Sequence, residues 1–357
     1  MRIEGADLII DCFLARNEID LVNFRTSYLA GRVDKFVIGE SEFTFGGEPK
    51  PMVFSNLKMK GLLPESVEVL EVEIPSEMLL RGDKTELGDF AHIRLLEMAL
   101  ERYPDATFLY QDVDEIPSLQ QVDAAAKVTA SPVMISVPMQ MFYRKANWEL
   151  LRRKDLWFCP KLIRGVPEHW NIRSFFGADV LPGEPGAHFS FLDSSAGQVG
   201  EKLRNYEHEQ FNIACLSDPN FLQFCDRFGI DHLARSNERG YGLLRCLTES
   251  EFGDVVNKAV SFRPEWKGVQ FEGSILWRLI AAQVVLVFRE TEGRTNWMRP
   301  GKLGIAPLGI LHGALLLIRA WGSMQLNKQR QKVKKCRRRV TRVFKHVARV
   351  SKLNRLK

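Results

Sequence analysis

Asp112, Asp114 and Glu115 put three carboxylates within four residues of a 357-residue chain. They follow Phe108, Leu109 and Tyr110, a short apolar run that reads as a buried strand. Ile116 and Pro117 then stop the strand ahead of a helix start at Ser118. Carboxylates at i and i+2 of a strand's end point the same way, and unpaired they repel each other. A shared cation removes the repulsion, and hard divalent ions such as Mg2+ or Mn2+ prefer carboxylate oxygens. The tripeptide alone is equally a solvated turn with a helix cap, so the surrounding elements decide its meaning.

Those elements read as an α/β fold. Asp7 to Leu14 is an apolar run of strand length, and a helical pattern follows through Leu21, Phe24, Tyr28 and Leu29 until Gly31 ends it. Asp34 to Gly39 is the next strand, so strand, helix and strand fall within about forty residues, the spacing of a right-handed βαβ crossover in a parallel sheet. Val67 to Ile74 alternates as a third strand, and Glu86 to Tyr103 carries a helical apolar stripe. Val133 to Phe142 is a further strand region interrupted by Pro138, and "LWFCPKLIRG" and "GAHFSFLDS" read as two more. Glu201 to Ile213 and Phe221 to Phe228 read as helices. The expected architecture is an open, mostly parallel sheet flanked by helices. Ligands bind such sheets at the carboxyl ends of the strands, which puts Arg16, Asn17, Glu18, Glu40, Asp112 and Asp114 on one rim.

The composition separates two physical objects. Hydrophobic residues make up 45% of the chain, enough for a real core, and the net charge is +6. Lys328 to Lys357 holds 14 of the 50 Lys and Arg and no acid, leaving 36 bases against 44 acids, a net −8, in the rest. The six cysteines are widely spaced without a C-x-x-C pair, a pattern of reduced structural thiols rather than a disulfide scaffold or zinc site. The first residues lack an apolar segment with a small-residue cleavage site, so no secretory signal is expected.

The blocks "DCFLARNEIDLVNFR", "VDKFVIGESEFTFGGEPKP", "DVDEIP" and "GAHFSF…EKLRNYEHEQ" occur in that order from Asp7 to Ile213. Together they resemble glycosyltransferase family 17. The resemblance implies a GT-A-like nucleotide-sugar domain over residues 1–300, with a donor half to about 145 and an acceptor half from about 146. It further implies a Mn2+ or Mg2+ ion at Asp112 and Asp114, with His188 as a third ligand. A UDP-sugar, with N-acetylglucosamine the expected sugar, would be the donor and transfer would invert the anomeric carbon. Arg16, Asn17, Glu18 and Glu40 become donor-binding candidates at the strand ends. Arg94 could reach a phosphate or pair with Asp112 or Glu97, and Lys202 could neutralise diphosphate charge. An inverting transfer needs one base near the acceptor oxygen, for which Glu209, His208 and Asp193 are the candidates. The bland alternatives are helix capping for Glu18, a core histidine for His188 and a solvated helix face for Lys202.

Leu303 to Ile318 carries no charge but is shorter than the about 20 residues a spanning helix needs, so residues 301–327 read as an interfacial or buried segment. In the basic tail, 328–357, Val333, Cys336, Val340, Val343, Val347 and Val350 recur at alternating three and four. That is a basic amphipathic helix suited to an anionic membrane surface. With Phe344 its only aromatic, base stacking is poorly supplied and nucleic acid is not expected. The expectation is a cytoplasmic enzyme, peripheral on a membrane's inner face, acting on a glycan or glycolipid acceptor. The competing classes are a non-catalytic membrane-surface protein that binds carbohydrate or nucleotide, and a metal-dependent phosphoesterase.

Overall fold

Parallel strands must be joined by crossovers, and the N-terminal third of the chain supplies them. The computed structural model describes residues 8–151, 156–168, 170, 172–173, 179–205, 214–233, 242–274 and the separate positions 277, 278, 281, 282 and 285. Strand β1 (Ile9–Leu14) passes through helix α1 (Ile19–Leu29) to β2 (Lys35–Glu40), and α2 (Val53–Met59) leads to β3 (Val67–Glu71). Gly31, at φ +73°, takes the left-handed turn out of α1. After α3 (Ser76–Arg81), α4 (Lys84–Arg102) starts at Asp83, whose carboxylate accepts from the Thr85 and Glu86 amides. The chain then enters β4 (Thr107–Asp112) on the other side of β1.

Two further strands widen this sheet to six, in the order β3-β2-β1-β4-β9-β6, where β6 is Val133–Ser136 and β9 is Lys161–Arg164. A second sheet of five has the order β11-β8-β7-β10-β5. Its strands are β5 (Glu115–Ile116), β7 (Met139–Tyr143), β8 (Trp148–Leu150), β10 (Gly186–Ser190) and β11 (Leu244–Cys246). The expectation of a mostly parallel sheet is thus met in the first sheet and not in the second. Parallel pairing joins β3, β2, β1 and β4 in the first sheet and β7 with β10 in the second. The other pairings between the named strands are antiparallel. The apolar run from Val133 to Phe142 is two strands in two sheets, and Pro138, which cannot donate to a ladder, marks the crossing.

Helix α5 (Leu119–Ala125) opens on a capping box between Ser118 and Gln121, where the sequence placed a helix start. A second capping box, Ser195 with Gln198, opens α6 (Ala196–Arg204). The helix expected over Glu201 to Ile213 is present from Glu201 to Arg204, and residues 206–213 lie outside the described residues. It begins earlier because of that box, and Asn205 caps its end while accepting from the Thr44 hydroxyl at 2.8 Å. Helix α7 (Pro219–Phe228) follows, capped by Asp218, and α8 (Asp254–Phe262) lies further along the chain.

The region after Cys215, which carries no recognisable motif, is explained in part by packing. Val255, Val256 and Ala259 of α8 and Trp266 are buried in the same apolar cluster as Phe24 of α1 and Phe36 of β2. Tyr28 donates to Asp254 at 2.6 Å, and the same carboxylate oxygen accepts from the Leu119 amide at 3.1 Å. The chain divides into two units, Met1–Glu272 and Gly273–Lys357, and every element named above belongs to the first. The apolar segment 301–327 and the basic tail 328–357 lie outside the described residues. Among the described residues no helix is long and apolar enough to cross a membrane.

Candidate active site

The strand order reverses between β1 and β4, and a crevice opens at such a switch point beyond the carboxyl ends of the strands. Leu14 and Asp112, the last residues of β1 and β4, are register partners there. The loop after β1 is closed by Glu18, whose Oε2 accepts from the amides of Arg16 at 2.8 Å and Asn17 at 3.0 Å. Arg16 pairs with Glu201 of α6, which brings that helix over the rim. Asn17 is exposed at the mouth.

Asp112 and Asp114 do not point the same way, contrary to the i and i+2 expectation. Strand β4 ends at Asp112, and a turn through Val113 and Asp114 intervenes before β5. Asp112 accepts from Arg173 Nη2 at 2.6 Å and lies 3.1 Å from His92 Nε2. The other face of that imidazole, Nδ1, is 2.8 Å from the Tyr110 hydroxyl. Asp114 instead meets Lys202 Nζ at 3.0 Å and His188 Nε2 at 3.6 Å. His188 arrives because β10 pairs antiparallel with β5, setting it opposite Glu115, while the Phe189 amide donates to the Asp114 carbonyl at 2.7 Å. Lys202 Nζ also lies over the Phe191 ring, 4.9 Å from its centre.

Glu115 is enclosed at the centre of this arrangement. It accepts from the Asp112 amide at 2.7 Å, from Arg173 Nη1 and Nη2 at 3.1 Å each, and from the Trp157 indole. Burial alone would raise its pKa; the Arg173 guanidinium, then His188, overcome that and pull it down to about 2. Asp112 is likewise held below the usual carboxylate range, burial opposing and Arg173 and His92 prevailing. Nearby, burial lowers the Lys161 ammonium to about 8, although it donates to the Cys159 carbonyl at 3.1 Å.

Several candidates have other work. Glu40 is buried, and its carboxylate accepts from the amides of Val53, Phe54 and Ser55 at 2.6, 3.0 and 2.9 Å. It caps α2 from outside the helix. Arg94 lies off the buried stripe of α4 and pairs with Glu97 at 3.2 Å; Asp112 is met by His92 from the same helix. Asp193 is paired with Lys145 and adopts a left-handed φ of 47°. His208 and Glu209 lie outside the described residues. Sequence reasoning missed His92, hidden in an apolar helical stripe, and Arg173, within a Trp-, Arg- and Pro-rich stretch of unclear pattern.

Among the described residues no three His, Cys, Asp or Glu side chains converge into a ready metal cage. The Asp114 and His188 pair nonetheless fits a divalent ion. Its oxygen and the His188 Nε2 are 3.6 Å apart, too far to hydrogen-bond each other and close enough for both to reach one ion. Phosphate-bound ions are commonly held by only one or two protein ligands, with substrate oxygens and water completing the shell.

Comparison with known proteins gives this crevice a family. The chain is 28% identical over 117 residues to β-1,4-mannosyl-glycoprotein 4-β-N-acetylglucosaminyltransferase from Homo sapiens, and equally to the Rattus norvegicus protein. The match covers 31% of this chain and 22% of each relative, so the chain spans under a quarter of their length. The pattern of glycosyltransferase family 17 matches residues 2–225, from before β1 into α7, and thus takes in the whole rim. The chain belongs to glycosyltransferase family 17.

Proposed function

We propose that this protein moves N-acetylglucosamine, or a related sugar, from a UDP-sugar to a glycan or glycolipid acceptor, with metal assistance and inversion at the anomeric carbon, on a GT-A-like framework. The observation that carries this reading is the meeting of Asp114, His188 and Lys202 at the switch point of the sheet. Asp114 and His188 would hold a Mn2+ or Mg2+ ion, which when bound supplies Lewis-acid neutralisation of the leaving diphosphate. The mixed carboxylate and imidazole pair favours Mn2+, since Mg2+ takes oxygen ligands. Lys202, two-thirds buried against Asp114, contributes a second positive charge beside the diphosphate. Arg173 and His92 fix the Asp112 carboxylate at the crevice floor, where it can accept from a donor hydroxyl. The loop of Arg16 and Asn17 offers donors to the nucleoside. The acceptor hydroxyl attacks the anomeric carbon as UDP leaves, and its proton passes to a base for which Glu209 and His208 stand as candidates. N-acetylglucosamine is suggested by the human and rat relatives, which are N-acetylglucosaminyltransferases. The same reading puts the protein on the cytoplasmic face of a membrane, with 328–357 against anionic lipid.

Calorimetric titration of UDP and UDP-N-acetylglucosamine, with and without Mn2+, tests the donor site. Manganese-dependent binding is expected in the wild type and a loss of about tenfold or more in Asp114→Ala, the scale at which metal-site residues act. Absence of binding to any UDP-sugar would sink the reading. Co-sedimentation with phosphatidylserine vesicles tests the membrane placement, which fails if binding is absent at low salt.

A further inference from the structure

We propose that Arg25 is a positioning residue that sets the direction of Asp112 and Asp114 from beneath, an inference that rests on the metal and nucleotide reading above. Arg25, on α1, and Asp11, on β1, are both fully enclosed. The guanidinium donates through Nε to Asp11 Oδ2 and through Nη2 to Asp11 Oδ1, each at 2.7 Å. Its remaining nitrogen, Nη1, donates to the carbonyls of Asp112 at 2.7 Å and Val113 at 3.0 Å. Gln111 Nε2 donates to Asp11 at 3.1 Å, and the Phe13 ring lies 4.2 Å from the guanidinium carbon.

The β4 ladder ends at Asp112, so the carbonyls of Asp112 and Val113 leave the sheet in a dry interior and need another donor. A planar fork that grips a carboxylate on one edge and two carbonyls on the other supplies it; an ammonium has no such geometry. A buried ion pair is a poor way to fill a core, because apolar residues of similar volume pack as well or better. What apolar residues cannot do is hold the turn's carbonyls. From the opposite side the turn is held by the Asp112 amide to Glu115 and by the Phe189 amide to the Asp114 carbonyl. With both sides fixed, the two aspartates are aimed apart, one at His92 and Arg173, the other at His188 and Lys202.

The experiment uses the double variant Asp11→Leu/Arg25→Met beside Arg25→Lys in the full chain. Replacing both partners avoids the stranded charge that a single substitution would leave. The double variant is expected to melt cooperatively but below the wild type, because the carbonyls of Asp112 and Val113 lose their donor. Its Asp112 and Phe189 amides should exchange with deuterium about tenfold faster, and manganese-dependent UDP affinity should fall by about 10- to 100-fold, the range for groups that orient metal ligands. Arg25→Lys, which keeps the charge and loses the fork, should not rescue either readout. A double variant that exchanges and binds like the wild type overturns the proposal, as does one that unfolds, since the pair would then be a stability element. If the wild type itself binds no UDP with Mn2+, the donor reading fails and the exchange rates alone decide the role of Arg25.

Discussion

Glu115 has four N–H donors on two oxygens, and protonation would turn one of those contacts against it. Its pKa falls from 4.5 to about 2 on folding, so the stability it contributes is fully present above about 4.5 and is lost as pH drops through 2. The difference corresponds to about 3 kcal/mol, at 1.36 kcal/mol per pKa unit. Denaturant melts between pH 5 and 2 should show that loss in the wild type. Glu115→Gln should start less stable at neutral pH, because it leaves Arg173 with one carboxylate fewer, and should have a flatter acid limb. An unchanged acid limb in the variant would contradict this account. The acids themselves were legible in the sequence, since three carboxylates at a strand's end are conspicuous. Their partners were not. His92 sits in a helix whose buried positions are otherwise apolar, and Arg173 is distant along the chain. Pairing between them is a property of the folded sheet edge, which no local pattern encodes.

At the scale of elements, the parallel half of the first sheet could be read directly, because apolar strands of about six residues alternate there with helical periods. The second sheet could not. Its strands are short, and β5 has only two residues, too few to carry a period. The switch at Pro138 lies inside one continuous apolar run. This sheet delivers His188, and Gly186 is the residue that lets β10 in. A Cβ there would meet the Ile116 carbonyl at 2.4 Å, Met139 Sδ at 2.7 Å and Pro117 Cα at 2.9 Å. Two of those neighbours are backbone and cannot turn aside. Gly186→Ala should therefore cost about 1–3 kcal/mol, the usual range for overpacking, and push β10 off β5. Since that pairing sets His188 against Asp114, manganese-dependent UDP binding should weaken together with the melting temperature. Gly197→Ala in α6, where the nearest atom would be 3.9 Å away, is the matched control and should leave binding unchanged and the melting temperature the same or slightly raised. Equal effects from the two substitutions would remove the steric explanation.

At the scale of the molecule, the family match and the compact unit end in different places. The match stops at residue 225, while the unit continues to Glu272. The additional stretch is not an appendage. Strand β11 pairs with β8 at the edge of the second sheet, covering backbone groups that an exposed edge would offer to other chains. Trp266 lies edge-on to Phe24 at 5.7 Å, and α8 places Val255, Val256 and Ala259 in the main core. The Asp254 carboxylate ties Tyr28 of α1 to the start of α5, the helix that follows the acidic turn. Removing this stretch would strip about 1.5–3 kcal/mol from each large side chain left uncovered, against a total stability of only about 5–15 kcal/mol for a domain. A chain ending at residue 225 should thus fail to fold cooperatively, whereas one ending at Glu272 should melt in a single transition. Circular dichroism melts with limited proteolysis check both, and a cooperative transition in the shorter chain would refute the argument. The site's architecture would then depend on the family-matched segment alone; on the packing described here, it depends on the chain folding back over α1.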